Sequence, residues 1–418
     1  MIAQASIKVF RKLPDVPSVW HSINQRLLPD MPKLSASDRG ARVAPFIAMD
    51  MMREANQLAI SGSDIVHMEV GQPSSAPPRQ VVDAAKAALD VDRIGYTNAL
   101  GIPELRERIS KHYADTYKLS VPPERIVITT GSSAGFILAF LAAFEPGAKI
   151  ALPMPGYPAY KNILAALDLE LVSLETSART RWAPDVADIR RLAAQPEDAI
   201  SGLLVASPAN PTGTMLSPAA LKGIAQACET AGVRFISDEI YHGLVYGMEQ
   251  ACALSFSDEA IIINSFSKYF CMTGWRIGWM IVPEPLLRPV ECLAQSLYIS
   301  APTLSQYGAL AAFDAVEELE SHKQMYARNR EMLLNELPGV GFTEFTPVDG
   351  AFYVYADVAR FTNDSFEFAG KMLREVGVAT TPGADFDAEL GHRFIRMSFA
   401  GSEDQMHEAV KRLRTWLT

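Results

Sequence analysis

Cysteine is scarce in this sequence. Four occur in 418 residues, Cys228, Cys252, Cys271 and Cys292, with no C-x-x-C pair and no zinc-type Cys/His spacing. That excludes a disulfide-dense secreted scaffold and a thiolate metal centre. The expectation is reduced thiols in a cytoplasmic protein, with no metal site. Positive charge is short as well. The formal net charge is -10 and there is no long basic run, whereas a nucleic-acid surface needs clustered Lys and Arg. Nucleic acid is therefore not an expected partner. Apolar runs fall below the roughly 18 uncharged residues of a membrane span, so no membrane partner is expected. The sequon Asn363-Asp364-Ser365 carries no weight without an export signal, and the N-terminus has no apolar signal core. The opening stretch MIAQASIKVFRKLP lacks acids and holds Lys8, Arg11 and Lys12. A transit peptide has that make-up, but a basic tail, or a true start at Met31, is the plainer reading. No internal repeat and no low-complexity tract is visible.

What is present is an ordinary globular composition, 49% hydrophobic and 21% charged. The length suits two or three structural units, or one large α/β domain with an appendage. Residues 1–40 have weak periodicity and several prolines and read as an arm. A helical pattern covers 43–61, with Gly62 at its end, and DIVHMEV reads as a strand closed by the turn GQPSSAPP. From about residue 76, short apolar runs alternate with helical stretches. RIVITTG, AKIALP, LELVSLE, GLLVASP, VRFISDE, AIIINSFS and RIGWMIVP are the strands. Such alternation indicates an α/β fold with a mainly parallel sheet buried on both faces. Near residue 310 the pattern becomes α+β. One long helical stretch covers 304–337, followed by GAFYVYADV, a helix around SFEFAGKMLREVG, FIRMSFA and a final helix. The expected organisation is an N-terminal arm (1–40), a large domain (76–310) and a smaller α+β domain made of 41–75 and 311–418.

Ligands of a mainly parallel sheet sit beyond the carboxyl ends of its strands. The chemically interesting residues fall there. TTGSSAGF places Gly131, Ser132 and Ser133 where a helix begins, which is a phosphate cradle in chemical terms; taken alone, a serine there is usually just an N-cap. Asn210 sits in the turn NPTG, and Asp238 ends an apolar strand with Tyr241 three residues on. Lys268 stands among Ser, Phe, Tyr and Cys in SFSKYFCMTGWRIGW. Partial desolvation there lowers an amine's pKa and frees it for Schiff-base chemistry. Ser265 and Arg276 are placed to hold a dianion, Arg through its planar fork.

These residues carry a resemblance. SFSKYFCMTGWRIG looks like the lysine signature of class I/II aminotransferases, the aspartate aminotransferase superfamily of fold type I pyridoxal 5'-phosphate (PLP) enzymes. The matching positions are Ser265, Ser267, Lys268, Gly274, Arg276 and Gly278. YTNALGIPELR, GSSAGF, PGYPAY, NPTG, DEIY, GAFY and RMSFA follow the family order, over roughly residues 41–415. The resemblance implies a large domain with a seven-stranded sheet flanked by helices. It implies that Lys268 joins the cofactor as a Schiff base and later shuttles a proton, and that Asp238 pairs with the pyridine nitrogen. Asn210 and Tyr241 would bond the phenolic oxygen, and Tyr157 would stack on the ring. Ser132, Ser133, Ser265, Ser267 and Arg276 would hold the phosphate. Tyr96 would reach it across a homodimer interface, so that two chains share each active site. Arg396 and Gly71 would take the substrate α-carboxylate.

The implied partners are an amino acid and a 2-oxo acid. A dicarboxylate donor needs a second cation. The family supplies it from a lysine where this chain has Ser133, or from a partner arginine in the segment matching SLYISAPT, which has Tyr298 and Ser300 but no Arg or Lys. The expectation is a neutral or aromatic donor with 2-oxoglutarate or pyruvate as acceptor, and Phe46 and Ile47 at the entrance fit it. Aspartate aminotransferase, a carbon–sulfur β-lyase and a cyclopropane-forming synthase remain alternatives on the same residues. A ligand sensor would need an appended DNA-binding domain, and a dead site would not keep Lys268, Asp238, Arg276 and Arg396 together. One departure from the family pattern is Asp387 in PGADFDAELG, where glycine often follows the phenylalanine.

Overall fold

The computed structural model describes residues 36–91, 94–194 and 199–417. The arm read at 1–40 lies outside them except for its last few residues. A two-residue strand β1 (Val66–His67) comes first, followed by seven strands that form one sheet. These are β2 (Ile126–Thr129), β3 (Lys149–Met154), β4 (Glu170–Glu175), β5 (Gly202–Ala206), β6 (Arg234–Asp238), β7 (Ile261–Ser265) and β8 (Gly278–Ile281). Their order is β2-β8-β7-β6-β5-β3-β4, with β8 alone antiparallel to its neighbours. All seven match the strands read from the sequence, and the fold class is the expected one.

The reason is visible in the alternation of side chains. Ile126, Ile128, Leu203, Val205, Phe235 and Ile262 enter one core. Val127, Leu204, Ile236, Ile261 and Ile263 enter another, on the opposite face. Both faces of the central strands are buried, so their middle positions are mostly apolar and read as continuous runs, with polar residues such as Arg234 and Asp238 at the strand ends.

The remaining strands are β9 (Tyr353–Asp357), β10 (Val378–Ala379), β11 (Thr381–Pro382) and β12 (Phe394–Ser398). β9, β12 and β11 form an antiparallel sheet, and β10 pairs in parallel with β1. Their shared core holds Val66, Met68, Tyr353, Ile395 and Met397. Helices seal it, among them Ser365–Val376, whose first amides at Phe366 and Glu367 are each capped at 3.0 Å by Asp364, a contact of about 1 kcal/mol.

Two readings need correction. The 43–61 helix begins at Ile47, since Pro45 disfavours helical backbone at the residue before it. The single helical stretch at 304–337 is two helices, Thr303–Ala312 and Val316–Val340. The break lies at Phe313, whose ring is drawn into a cluster with Phe266, Phe270 and Trp279, while its carbonyl accepts from Arg108 at 3.2 Å. Each aromatic pair adds about 0.5–1.5 kcal/mol beyond area burial, enough to outweigh one lost helical turn. Asp387, the departure from the family pattern, caps its own turn by accepting from the amides of Glu389 and Leu390 at 2.8 and 3.1 Å.

Candidate active site

Strand ends build the site. β5, β6 and β7 run parallel and end at Ala206, Asp238 and Ser265. β2 runs the same way across the intervening β8, so the helix Gly131–Ala143 that follows it starts at the same edge. A cavity of about 430 Å³ opens there. Its wall brings together Gly71, Ser132, Ser133, Tyr157, Asn210, Tyr241, Ser267, Lys268, Arg276 and Arg396. Asp238 and Ser265 lie behind that wall, both buried. Ser265 Oγ donates to Ser267 Oγ at 2.9 Å. Tyr96 is not part of the wall and is 83% exposed. Phe46 lines the cavity, but Ile47 packs instead beside Met51 and Ala55.

One end of the cavity is built for an anion. The helix Gly131–Ala143 starts without a side-chain cap, leaving its first amides unsatisfied at the positive end of the dipole. Gly131 has φ +71, and a Cβ there would strike the Arg276 guanidinium, so glycine is required for both backbone and space. Arg276 itself is held at φ 50, a left-handed conformation that costs an L-residue roughly 1–2 kcal/mol, and its Nη1 donates to Thr273 O at 3.0 Å.

Lys268 stands in the middle of the wall. Its Nζ donates to the Gly71 carbonyl at 2.6 Å, and a Cβ on Gly71 would overlap the Tyr353 hydroxyl. Burial, then the guanidinium groups of Arg396 and Arg276, push the Lys268 pKa down to about 8, with Asp238 opposing them. At pH 7 the neutral amine is then roughly one in ten molecules, against about one in 3000 for an ordinary lysine. Burial pushes the Asp238 carboxyl up to about 6, although the Tyr160 hydroxyl, the Ile240 amide and Lys268 all favour its charged form. This is a carboxylate short of a cation.

Arg396 forms the other end. Its guanidinium lies 4.5 Å from the Tyr353 ring centroid and 4.8 Å from that of Phe386. It donates to Asn210 Oδ1 at 2.8 Å, to the Glu69 carbonyl at 2.6 Å and to Thr381 Oγ1 at 3.2 Å, while its buried Nε has no acceptor. A buried cation held only by dipoles and rings is a receptor for an anion. Tyr160, Tyr353 and Phe386 were not singled out in the sequence. Tyr160 carried a signal, one helical turn beyond Tyr157, and Tyr353 ends the quoted GAFY, with its hydroxyl 2.6 Å from that of Tyr241. Phe386 is the phenylalanine before Asp387 in PGADFDAELG.

An amine that gives up its proton more readily than an ordinary lysine, set between two anion-binding cations, is equipment for chemistry on a small, anionic, carbonyl-bearing molecule, and the fold and site thus define an enzyme. Comparison with known proteins then gives its kind. The sequence model of "Aminotransferase class I and II" matches residues 63–413, and the chain belongs to that family. It is an aminotransferase, moving an amino group between an amino acid and a 2-oxo acid. Valine–pyruvate aminotransferase of Mycobacterium tuberculosis is 46% identical over 381 residues, 90% of this chain and 97% of the other. A (5-formylfuran-3-yl)methyl phosphate transaminase of Methanocaldococcus jannaschii is 34% identical over 377 residues, 89% of this chain and 96% of the other. The crystal structure of an aminotransferase from Mycobacterium tuberculosis matches with a TM-score of 0.89 at 46% identity, covering 92% of this chain and 99% of that one. Members of this family use PLP, and the residues present fit it: an uncapped helix start beside Arg276 for a phosphate, a cation-poor buried carboxylate for a ring nitrogen, and an activated amine for an aldehyde.

Proposed function

We propose that this chain transfers the amino group of a neutral L-amino acid, aliphatic or aromatic, to pyruvate, with PLP as cofactor. One observation carries the donor class. The cationic side chains on the cavity wall are Lys268, Arg276 and Arg396. Lys268 is the reacting amine, Arg276 belongs to the phosphate end beside Gly131, and Arg396 takes the α-carboxylate. Among the described residues none is left for a second carboxylate, and Phe46, Met49, Met52 and Ile163 supply apolar wall instead. The same count favours pyruvate over 2-oxoglutarate. The 46% identical valine–pyruvate aminotransferase of Mycobacterium tuberculosis supports the reading. Leaving one buried charge unpaired costs about 2 kcal/mol or more. Valine with pyruvate should therefore exceed aspartate with pyruvate by at least about 30-fold in kcat/KM. Equal rates would remove this reading, and pyruvate plus ammonia formed from a cysteine-type substrate without an acceptor would replace it with a β-lyase.

PLP supplies, when bound, an aldehyde and a ring that takes up the electrons of the substrate Cα–H bond. The chain's residues do the rest. Lys268 Nζ would take the proton from the substrate Cα and deliver it to the cofactor carbon that carries the aldehyde, and would move it the other way in the second half of the transfer. Asp238, oriented by Tyr160 and the Ile240 amide, keeps a proton on the ring nitrogen. Asn210 and Tyr241 hold the phenolic oxygen, and Tyr157 packs against the ring. Ser132, Ser133, Ser265, Ser267 and Arg276 hold the phosphate. Arg396 and Gly71 orient the α-carboxylate.

The pH dependence of cofactor uptake follows from the amine. Only neutral Lys268 attacks an aldehyde. Protonation increases as pH falls, so reconstitution of the apoprotein with PLP should slow about tenfold per unit below pH 8 and level off above it. A rate that stays flat down to pH 6 in stopped-flow absorbance would contradict the lowered pKa.

The same proposal includes the two domains, with 76–310 as the large one and 41–75 with 311–418 as the small one. Separate sheets and a separate core support it, although Phe313, Ala315 and Leu319 join the core of the large sheet. It also includes a homodimer in which Tyr96 serves the partner's site. The exposed Tyr96, Leu297 and Ile299 support that assembly. A cytoplasmic location accords with four free cysteines.

A further inference from the structure

A buried carboxylate stands on the cavity wall with no task in the chemistry above. Glu69 follows β1, where alternation sends Val66 and Met68 into the core and leaves His67 and Glu69 on the other face. Its side chain is 0% exposed. Glu69 Oε1 bonds His67 Nδ1 at 2.8 Å, and Oε2 has no hydrogen-bond partner. A buried charged oxygen without a donor is costly and invites one from a ligand. The same residue is tied to the α-carboxylate receptor, since its backbone carbonyl accepts from Arg396 at 2.6 Å and from Thr381 Oγ1 at 2.7 Å. Glu69 shares the wall with Phe46, Met49 and Met52.

We propose that Glu69 is the specificity-determining residue of this cavity: it repels a second substrate carboxylate and accepts a hydrogen bond from a donor side chain bearing N–H or O–H. The proposal rests on the reading that Arg396 holds the α-carboxylate. The neutral-donor preference then has two sources. A cation is missing, and the Glu69 carboxylate lies behind the stretch of wall that Glu69 shares with Phe46, Met49 and Met52. Specificity commonly uses both the absent attraction and the present repulsion. His67 moderates the effect, because its imidazole bonds the carboxylate and Glu69 in turn pushes the imidazole pKa up.

The test measures kcat/KM for aspartate and for valine, with pyruvate, on the PLP-loaded enzyme and two variants. Glu69→Gln keeps shape and removes charge, and should raise the aspartate-to-valine ratio about tenfold. His67→Ala removes the partner that offsets the charge, and should lower that ratio. The His67 side chain is 38% exposed, so this variant still decides the matter if Glu69→Gln does not fold. A purely structural Glu69 would not move the ratio in opposite directions. A ratio within twofold of the parent in both variants, or moved the same way in both, overturns the proposal. That failure is separate from failure of the neutral-donor reading, which the unmodified enzyme decides by its own ratio.

Discussion

Lys268→Ala should lower transamination by at least about 10⁴-fold while leaving the fold intact. A positioned acid/base alone contributes roughly 10²–10⁴-fold, and among the described residues this lysine is the one amine on the cavity wall, its pKa brought down to about 8. No neighbour substitutes for it, because the other cations there are guanidinium groups that do not give up a proton. The structural loss is small. Its amine makes one hydrogen bond, to the Gly71 carbonyl, a net contribution of about 1 kcal/mol. The circular dichroism spectrum and thermal midpoint should thus stay near those of the parent. The visible absorbance of the PLP-loaded protein that depends on a lysine link should vanish. Turnover above about one per cent of the parent would overturn the assignment of Lys268.

Arg396→Leu should act differently. Removing one partner from a buried, hydrogen-bonded charge pair costs about 2–5 kcal/mol, or roughly 30- to 5000-fold in kcat/KM. If Arg396 takes the α-carboxylate as proposed, the loss should fall on amino acid and 2-oxo acid alike, since both carry one, and much of it should appear in KM. The visible absorbance should persist, because Arg396 lies at the end of the cavity away from Gly131. Arg396→Lys should recover little. An ammonium cannot span Asn210, the Glu69 carbonyl and Thr381 with a planar fork. Unchanged KM for both substrates in Arg396→Leu would place the α-carboxylate elsewhere.

The central sheet was legible because its strands are buried on both faces and their apolar runs are bounded by turns. The residues of the cavity were legible because they sit at strand ends and fall into family motifs. Other features depend on partners distant in sequence. The β1–β10 pairing joins two-residue strands too short to show a period. The break at Phe313 is set by an aromatic cluster from β8 and the connection that leads to it from β7. Glu69 stands in an unremarkable DIVHMEV, and only the folded chain shows that its carboxylate is buried with an oxygen unpaired. Tyr96 was read for a role in a two-chain site, which a single chain does not test.

The hydrogen bonds that close the cavity have a consequence for synthesis. Lys268 reaches back 197 residues to Gly71, and Arg396 reaches back 186 residues to Asn210 and 327 to Glu69. Contacts of such separation are entropically late. On the ribosome, the sheet and its anion cradle are made before Arg396 has been translated. On the proposed roles, a chain truncated before β12 keeps the residues assigned to the cofactor and lacks Arg396, the residue assigned to the substrate, and should bind cofactor at most without taking amino acids.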